Sequence, residues 1–382
     1  MFDSYDIYDR TRITLHCVIT CQSPLSHIGD VTGNVSNLKT VRLIDLAGNP
    51  RQCFAYSGNA LRNGILRRRG ISAALDSLAL QVNPDVHHTL FAGGRIDGGT
   101  ASDMDLDGKI RRLMPWLSIL GTAKPEGVFG SAKVQMVQGR INVGSAYLVC
   151  YESAAYVFRQ FPGALPGECL TRLSILLEAQ EELMADPFTG ATESAVANWQ
   201  QTKAEHLPYL QKQLKTWTEC VFVDQKTGRD SLKDPVLQPY LAGAKGQLAL
   251  LPSKKPDKKK EERSDQRIMS DRLIMAGSKL YSRWDINATD VEIGFVVDTL
   301  LQFAKSPYLG GKGNSGNGLV SMDFWYQCGD EKGHFLTVET GQQVLCDRAQ
   351  NAQQKYQEYM SQYQQFLADA AESKELRALL AA

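Results

Sequence analysis

Two stretches of this chain carry residue types that can hold an anion. The first is Tyr56-Ser57-Gly58-Asn59-Ala60-Leu61-Arg62-Asn63-Gly64-Ile65-Leu66-Arg67-Arg68-Arg69. Between Arg51 and Leu75 there are five arginines and no acid. Ser57 and Asn59 are residue types that cap helices, and a helix start offers unbonded N–H groups and a positive dipole end, both suited to phosphate. At about 100° per residue, Arg62 and Arg69 fall within roughly 20° of each other, beside Ile65 and Leu66. Two arginines next to apolar residues call for a partner, either an acidic protein surface or a nucleic-acid backbone. A solvated basic helix accounts for the same residues. The second stretch is Tyr308-Leu309-Gly310-Gly311-Lys312-Gly313-Asn314-Ser315-Gly316-Asn317-Gly318, with five glycines in nine positions. Glycines let the backbone approach a ligand and present N–H groups, and Lys312, Asn314 and Ser315 add donors. The run is not a P-loop, because no Gly-Lys-Ser/Thr stands at the required spacing. A plain connector has the same composition.

Other candidates have simpler readings. Asp103-Met104-Asp105-Leu106-Asp107-Gly108 begins like a calcium loop, but its twelfth position is Met114 rather than Glu. A solvated acidic loop is expected there. His87-His88 lack ligand spacing and are read as an exposed loop pair. His16 is a strand residue. Its faint echo of a serine-protease triad with Ser315 lacks a third member. The run Lys254 to Lys260 is expected to be a mobile surface loop. The tyrosines at 356–363 are expected to pack a helix rather than stack on bases.

The elements that must position these groups follow from pattern. Residues 11–21 alternate and are rich in β-branched side chains, as a strand requires. Residues 23–46 are a long loop with a short strand at 40–46. A helix is expected at 57–80, broken or bent at Gly70. Residues 83–108 form a flexible excursion. Segments 127–137 and 140–150 read as a hairpin around Gln138-Gly139. Helices are expected at 165–185 and 193–222. A strand near 279–286, a helix at 289–304, the glycine loop and a strand at 319–328 follow. Residues 342–371 lack Pro and Gly and read as one long helix. The fold class is therefore α+β. Residues 1–150 and 265–340 form two parts of one core, 151–264 a mostly helical insertion, and 341–382 a C-terminal helix.

The formal net charge is zero, so composition alone points to no nucleic-acid partner. The eight cysteines, at 17, 21, 53, 150, 169, 220, 328 and 346, form no Cys-x-x-Cys and suit buried thiols in a reducing cytoplasm. The first residues carry acids where a secretion signal needs bases. No window approaches 18 apolar residues, so no membrane span is expected.

Taken together, the early strand, the Ser-Gly-Asn-x-Leu-Arg-x-Gly-x-Leu-Arg turn and helix, and the late helix–glycine loop–strand resemble the RAMP superfamily of CRISPR-associated proteins. The stretch Met114-Pro115-Trp116-Leu117-Ser118-Ile119-Leu120-Gly121, followed by Val128-Phe129-Gly130-Ser131, is similar to that family's hairpin region. These motifs cover about a third of the chain, and within the superfamily they look most like the backbone (Cas-seven-type) subunit, in its type IV version. The resemblance implies an RRM-like (ferredoxin-like) core, a thumb-like loop at 23–46 or 83–108, and a non-catalytic subunit in a prokaryotic cytoplasm. Such a subunit lines up in several copies along a guide RNA (crRNA), beside other CRISPR effector subunits, and presents the guide for pairing with target DNA or RNA. On this reading Ser57, Asn59, Arg62, Arg67, Arg68 and Arg69 hold phosphates at the first helix. Gly310, Gly311, Lys312, Asn314 and Ser315 do so at the glycine loop, with His27 and Arg42 on the early loop. No cofactor or metal is implied. The alternative is a type III-like subunit that cuts target RNA with a metal, using Asp30 or an aspartate from 103–107. Against it, Val35-Ser36-Asn37-Leu38 has Asn where that subunit has Asp.

Overall fold

A computed structural model describes residues 5–33, 35–44, 48–93, 104–124, 135–160, 216–223, 267–369 and 373–374. Strand β1 (Thr11–Cys21) is the centre of the main sheet. It pairs antiparallel with β12 (Lys279–Ala288) on one edge and β13 (Val320–Cys328) on the other. Helix α7 (Asp290–Ala304) carries the chain from β12 across to β13, so this β–α–β unit is split by β1. Beyond β13 lie β14 (Glu331–Glu339) and β15 (Gln342–Leu345). Beyond β12 lie β9 (Ala146–Leu148), β5 (Pro50–Tyr56) and β4 (Thr40–Ile44), while β8 (Ile141–Val143) also pairs with β12.

Strand alternation gives this sheet two unlike faces. Ile13, Leu15, Cys17, Ile19 and Cys21 of β1 join Leu280, Trp284 and Ile286 of β12 and Val320, Met322 and Phe324 of β13 in one core. The intervening residues, Arg12, Thr14, His16, Val18 and Thr20, face the other way with Arg283, Asp285, Asp323 and Trp325. Against the apolar face pack α7 and helix α8 (Asp347–Ala368). Thr289 and Glu292 form a reciprocal capping box that starts α7. The two helices approach closely at Gly294, where a Cβ would stand 2.0 Å from the Ala352 carbonyl oxygen. Tyr356, Tyr359 and Tyr363 share the buried side of α8, as expected for a packed helix.

A second sheet runs β10 (Thr216–Val223), β11 (Arg267–Ile274), β3 (Val35–Leu38) and β2 (Ile28–Thr32). The early segment is thus three short strands rather than a loop with one. Strand β2 lies at this sheet's edge, and its Ile28 and Val31 are exposed. Residues 216–223 are strand, where helical spacing predicts helix. Most of 151–264 lies outside the described residues, apart from β10 and helix α6 (Tyr151–Gln160). The expected lysine-rich loop is also outside them.

Three further expectations change. Among the described residues of 83–108 stand helix α3 (Pro84–Ala92) and the first turn of α4 (Met104–Leu113). His87 on α3 is fully buried, with its ring 4.7 Å from that of Phe91. The hairpin expected around Gln138-Gly139 is absent among the described residues: β7 (Gln135–Val137) pairs with β6 (Thr122–Lys124), and β8 goes to β12. Lastly, residues 342–345 extend the sheet before α8 begins, because β14 offers them a pairing edge.

Replacing Gly294 by Ala should force α7 and α8 apart. A loss of about 1–3 kcal/mol is expected, typical of overpacking. Chemical denaturation reads it directly, and an unchanged midpoint would contradict the close helix approach.

Candidate functional site

Strand β5 delivers Tyr56 and Ser57 to the start of a continuous helical stretch: α1 (Gly58–Leu61), a π segment (Arg62–Gly70) and α2 (Ile71–Ser77). The N–H groups of Ser57 and Gly58, at the cap and first helical position, are already used. The Ser57 N–H donates to His27 Nε2 at 3.1 Å, and the Gly58 N–H to Ser145 Oγ at 3.3 Å. Ser57's own side chain makes no cap bond. A Cβ on Gly58 would fall 2.1 Å from the Val143 carbonyl oxygen, so no phosphate can approach that backbone from this side. At Ser57 and Gly58 the open helix start expected from sequence is therefore closed by protein groups. His27 also stacks on Tyr56, with ring centroids 4.2 Å apart. Burial, and then the positive charge of Lys39, hold its pKa down at about 4. The imidazole accepts through Nε2, so its proton resides on Nδ1.

A π segment closes its bonds from residue i to i+5, and this changes which arginines are neighbours. Arg67 lies against Arg62, not Arg69 with Arg62. Arg67 is buried to 1% exposure. Its guanidinium donates to the carbonyls of Leu90 at 2.8 Å, Leu120 at 3.4 Å and Gly121 at 2.5 Å. Those carbonyls terminate α3 and helix α5 (Pro115–Leu120), where the helix dipoles are negative. Burial, with the like charge of Arg62 second, lowers the Arg67 pKa to about 10, so it stays a cation at neutral pH. Arg67 is thus a structural tie, and its expected place on a phosphate is corrected by its burial. Arg62 is half-buried, and burial lowers its pKa. Arg69 turns the other way and lies over the Phe303 ring of α7 at 4.7 Å. Arg68 is exposed. Gly70 does not break the helix; it ends the π segment where Thr299 and Phe295 leave no room for a Cβ.

The glycine loop returns to the same place. It is closed by the Leu309 N–H donating to Gly318 O at 2.8 Å and the Gly318 N–H donating to Pro24 O at 2.7 Å. Gly310 has φ +81, and a Cβ there would stand 2.4 Å from Ser26 O, so only glycine fits on both counts. Its N–H donates to the Tyr56 hydroxyl at 2.9 Å. That bond joins the two stretches singled out in the sequence. Between them lies a cleft of about 550 Å3 lined by Tyr56, Arg68, Arg69, Ser72, Tyr308 and Gly310 among others. Gly311, Asn314 and Ser315 are exposed on the loop's outer side. Lys312 instead turns back to an ion pair with Asp271 of β11, 2.5 Å away and nearly fully buried.

Sequence spacing missed Tyr56, Ser72 and Tyr308. Tyr308 is an exposed aromatic two residues before the first glycine of the run, a signal that was present. Asn59 is exposed but does not line the cleft, and Arg42 is exposed on β4, also outside the lining. Of the acidic candidates, Asp103 lies outside the described residues, while Asp105 and Asp107 sit on α4 and Asp107 pairs with Arg111 at 2.9 Å. Asp30 accepts from Thr32 and Asn37 on the β2–β3 hairpin. Among the described residues, no three His, Cys, Asp or Glu side chains cluster as a metal site would. His16 donates to or accepts from the Tyr281 hydroxyl at 3.2 Å, and burial, then Arg283, lowers its pKa to about 4. Among the described residues, no helix is long and apolar enough to cross a membrane.

No protein-family model matches the chain, and no curated protein matches it. Among solved structures it is similar to a chain of a "Type IV-B CRISPR Complex", at 15% identity and TM-score 0.37. That alignment covers 84% of this chain and 92% of the other. It is also similar to Csc2 of Thermofilum pendens, at 13% identity and TM-score 0.33, covering 98% of this chain and 85% of that one.

Replacing Arg67 by Ala strands carbonyls at two helix ends and should cost about 2–4 kcal/mol of stability by denaturation. Lys at this position should not rescue it, since one ammonium cannot span the forked contacts. A pH effect follows from His27. Its folded pKa, about 4, lies below the ordinary 6.5, so the folded chain binds fewer protons between those values. The stabilising contribution is fully present above pH 6.5 and is lost as pH falls towards about 4. His27→Gln should flatten the fall in unfolding free energy across that window, relative to the parent chain; an identical slope would refute the neutral-acceptor role.

Proposed function

We propose that this chain is a guide-RNA-binding backbone subunit of a multi-subunit CRISPR ribonucleoprotein, with a structural rather than catalytic role. The observation that carries this reading is the Gly310 N–H to Tyr56 hydroxyl bond, which brings the arginine-bearing π segment and the glycine loop to the walls of one cleft. A phosphate there would meet Arg68 and Arg69, with Ser72 beside them and Tyr308 offering an aromatic face to a base. The exposed donors of Gly311, Asn314 and Ser315 would extend the contact along the strand. Such contacts read the backbone and not the bases, as a subunit that must accept any guide requires. Arg62, Asn59 and Arg42 are peripheral in this scheme. Ser57, His27, Arg67 and Lys312 serve to shape the site.

The order β13-β1-β12-β9, with helices after β1 and between β12 and β13, supports an RRM-like core. Of the two thumb-like segments, the β2–β3 hairpin fits the role better than 83–108, because β2 is an exposed edge carrying Ile28 and Val31. In this proposal several copies line up along the guide, other effector subunits join them, and the guide pairs with target DNA or RNA.

The double variant R68A/R69A, co-expressed with guide RNA, should retain severalfold less RNA after size exclusion. In binding to single-stranded RNA, its salt slope should fall by about 1.4, from two contacts at about 0.7 each. Unchanged RNA content and slope would overturn the site.

A further inference from the structure

At the other end of β1 lies a second cleft, of about 400 Å3. The first residue of β1 lies at this end and the segment that bonds the glycine loop follows its last residue, so the strand between them spans roughly 33 Å at about 3.3 Å per residue. Most of the charges lining this second cleft are already balanced. Arg111 is paired with Asp107 at 2.9 Å and also donates to Gln138 O at 3.0 Å. Arg140 makes a forked pair with the buried carboxylate of Glu292, both bonds 2.9 Å, and donates to Ile7 O. Asp285 accepts from Arg283 at 2.8 Å and from Thr14 at 2.9 Å. The two remaining cations, Arg10 and Arg12, are exposed and make no ion pair among the described residues.

Arg12 stands directly opposite Asn287 on β12, and Asp285 opposite Asn142 on β8, so arginine and amide side chains share the polar face of the sheet. Tyr8, 73% exposed, stands at the rim with its ring open to solvent. Exposed guanidinium groups, exposed amides and an open aromatic ring are together the set that holds a phosphate and its attached base. An acidic peptide would use the arginines but leave the amides and the ring without a matched role. The volume suits one nucleotide unit.

We infer that this cleft is a second phosphate-binding site, at which Arg10 and Arg12 hold a phosphodiester of a single-stranded nucleic acid, with Asn142 and Asn287 beside the base. The inference rests on the reading of the chain as an RNA-binding subunit. It adds a contact at the far end of β1, so one copy would touch a strand, or two strands, at separated points.

The test uses the full chain and a short labelled single-stranded RNA, with anisotropy followed over a salt series. R10A/R12A should weaken binding about tenfold at low salt and lower the salt slope by about 1.4. R10K/R12K should keep the slope near that of the parent chain, and a melting temperature equal to the parent's shows that both variants fold. If R10A/R12A leaves affinity and slope unchanged while R68A/R69A lowers them, the second site is overturned and the first reading stands. If R10A/R12A weakens binding and R68A/R69A does not, the second site stands and the first falls. Titration with inorganic phosphate separates the sources. Phosphate binding that R10A/R12A abolishes, with RNA affinity unaltered, would assign the cleft to free phosphate and overturn the strand contact.

Discussion

Strand β1 is bonded on both edges, and the rest of the structure follows from its register. A slip of one residue would turn Ile13, Leu15, Cys17 and Ile19 to the polar side and carry Arg12, Thr14 and His16 into the core. The same register fixes where the ends of the strand lie. Its C-terminal end meets the glycine loop through Gln22, Ser23 and Pro24, and its N-terminal end sets Arg12 beside Asn287. Sites at both ends are thus placed by a single pairing pattern. The helices behind the sheet hold the π segment through α7, where Phe295 and Thr299 close around Gly70.

Much of this frame was legible in the sequence, because burial on one face writes itself as alternation. Strand β1, helix α7 and β13 each fall close to their expected bounds. What failed was decided by distant partners. Gln342 to Leu345 has helical composition, yet β14 recruits it as a strand. Gly144 lets β8 and β9 turn against β12, since a Cβ there would lie 2.6 Å from the Arg283 carbonyl oxygen. The local pattern of 127–150 reads as a hairpin and holds no sign of that approach. His87 sits in a polar pair in sequence and in the core in space.

The candidate site was legible as two stretches but not as an arrangement. Counting at 3.6 residues per turn aligns Arg62 with Arg69, whereas the wider π turn sets Arg62 against Arg67 and sends Arg69 to Phe303. Nothing in residue type announces a widened turn. Likewise Lys312 looks like the loop's natural anion ligand until Asp271, from a strand some forty positions away, is found beside it. A formal charge of zero conceals both the clustering of cations and their division between structural and solvent-facing duties.

Arg67 has one more consequence. Buried cations are usually matched to a carboxylate, so that a change in one residue calls for a change in the other. Here the three acceptors are main-chain oxygens of Leu90, Leu120 and Gly121, so no acceptor side chain has to be matched to Arg67, although position 121 itself admits only glycine, with φ +69 and a Cβ that would stand 2.5 Å from Gly139 N. Selection can therefore hold position 67 to arginine without any second position tracking it. In a comparison of related chains, an arginine held this way would have no partner side chain that changes with it, and pairwise couplings would pass over the contact that ties two helix ends together.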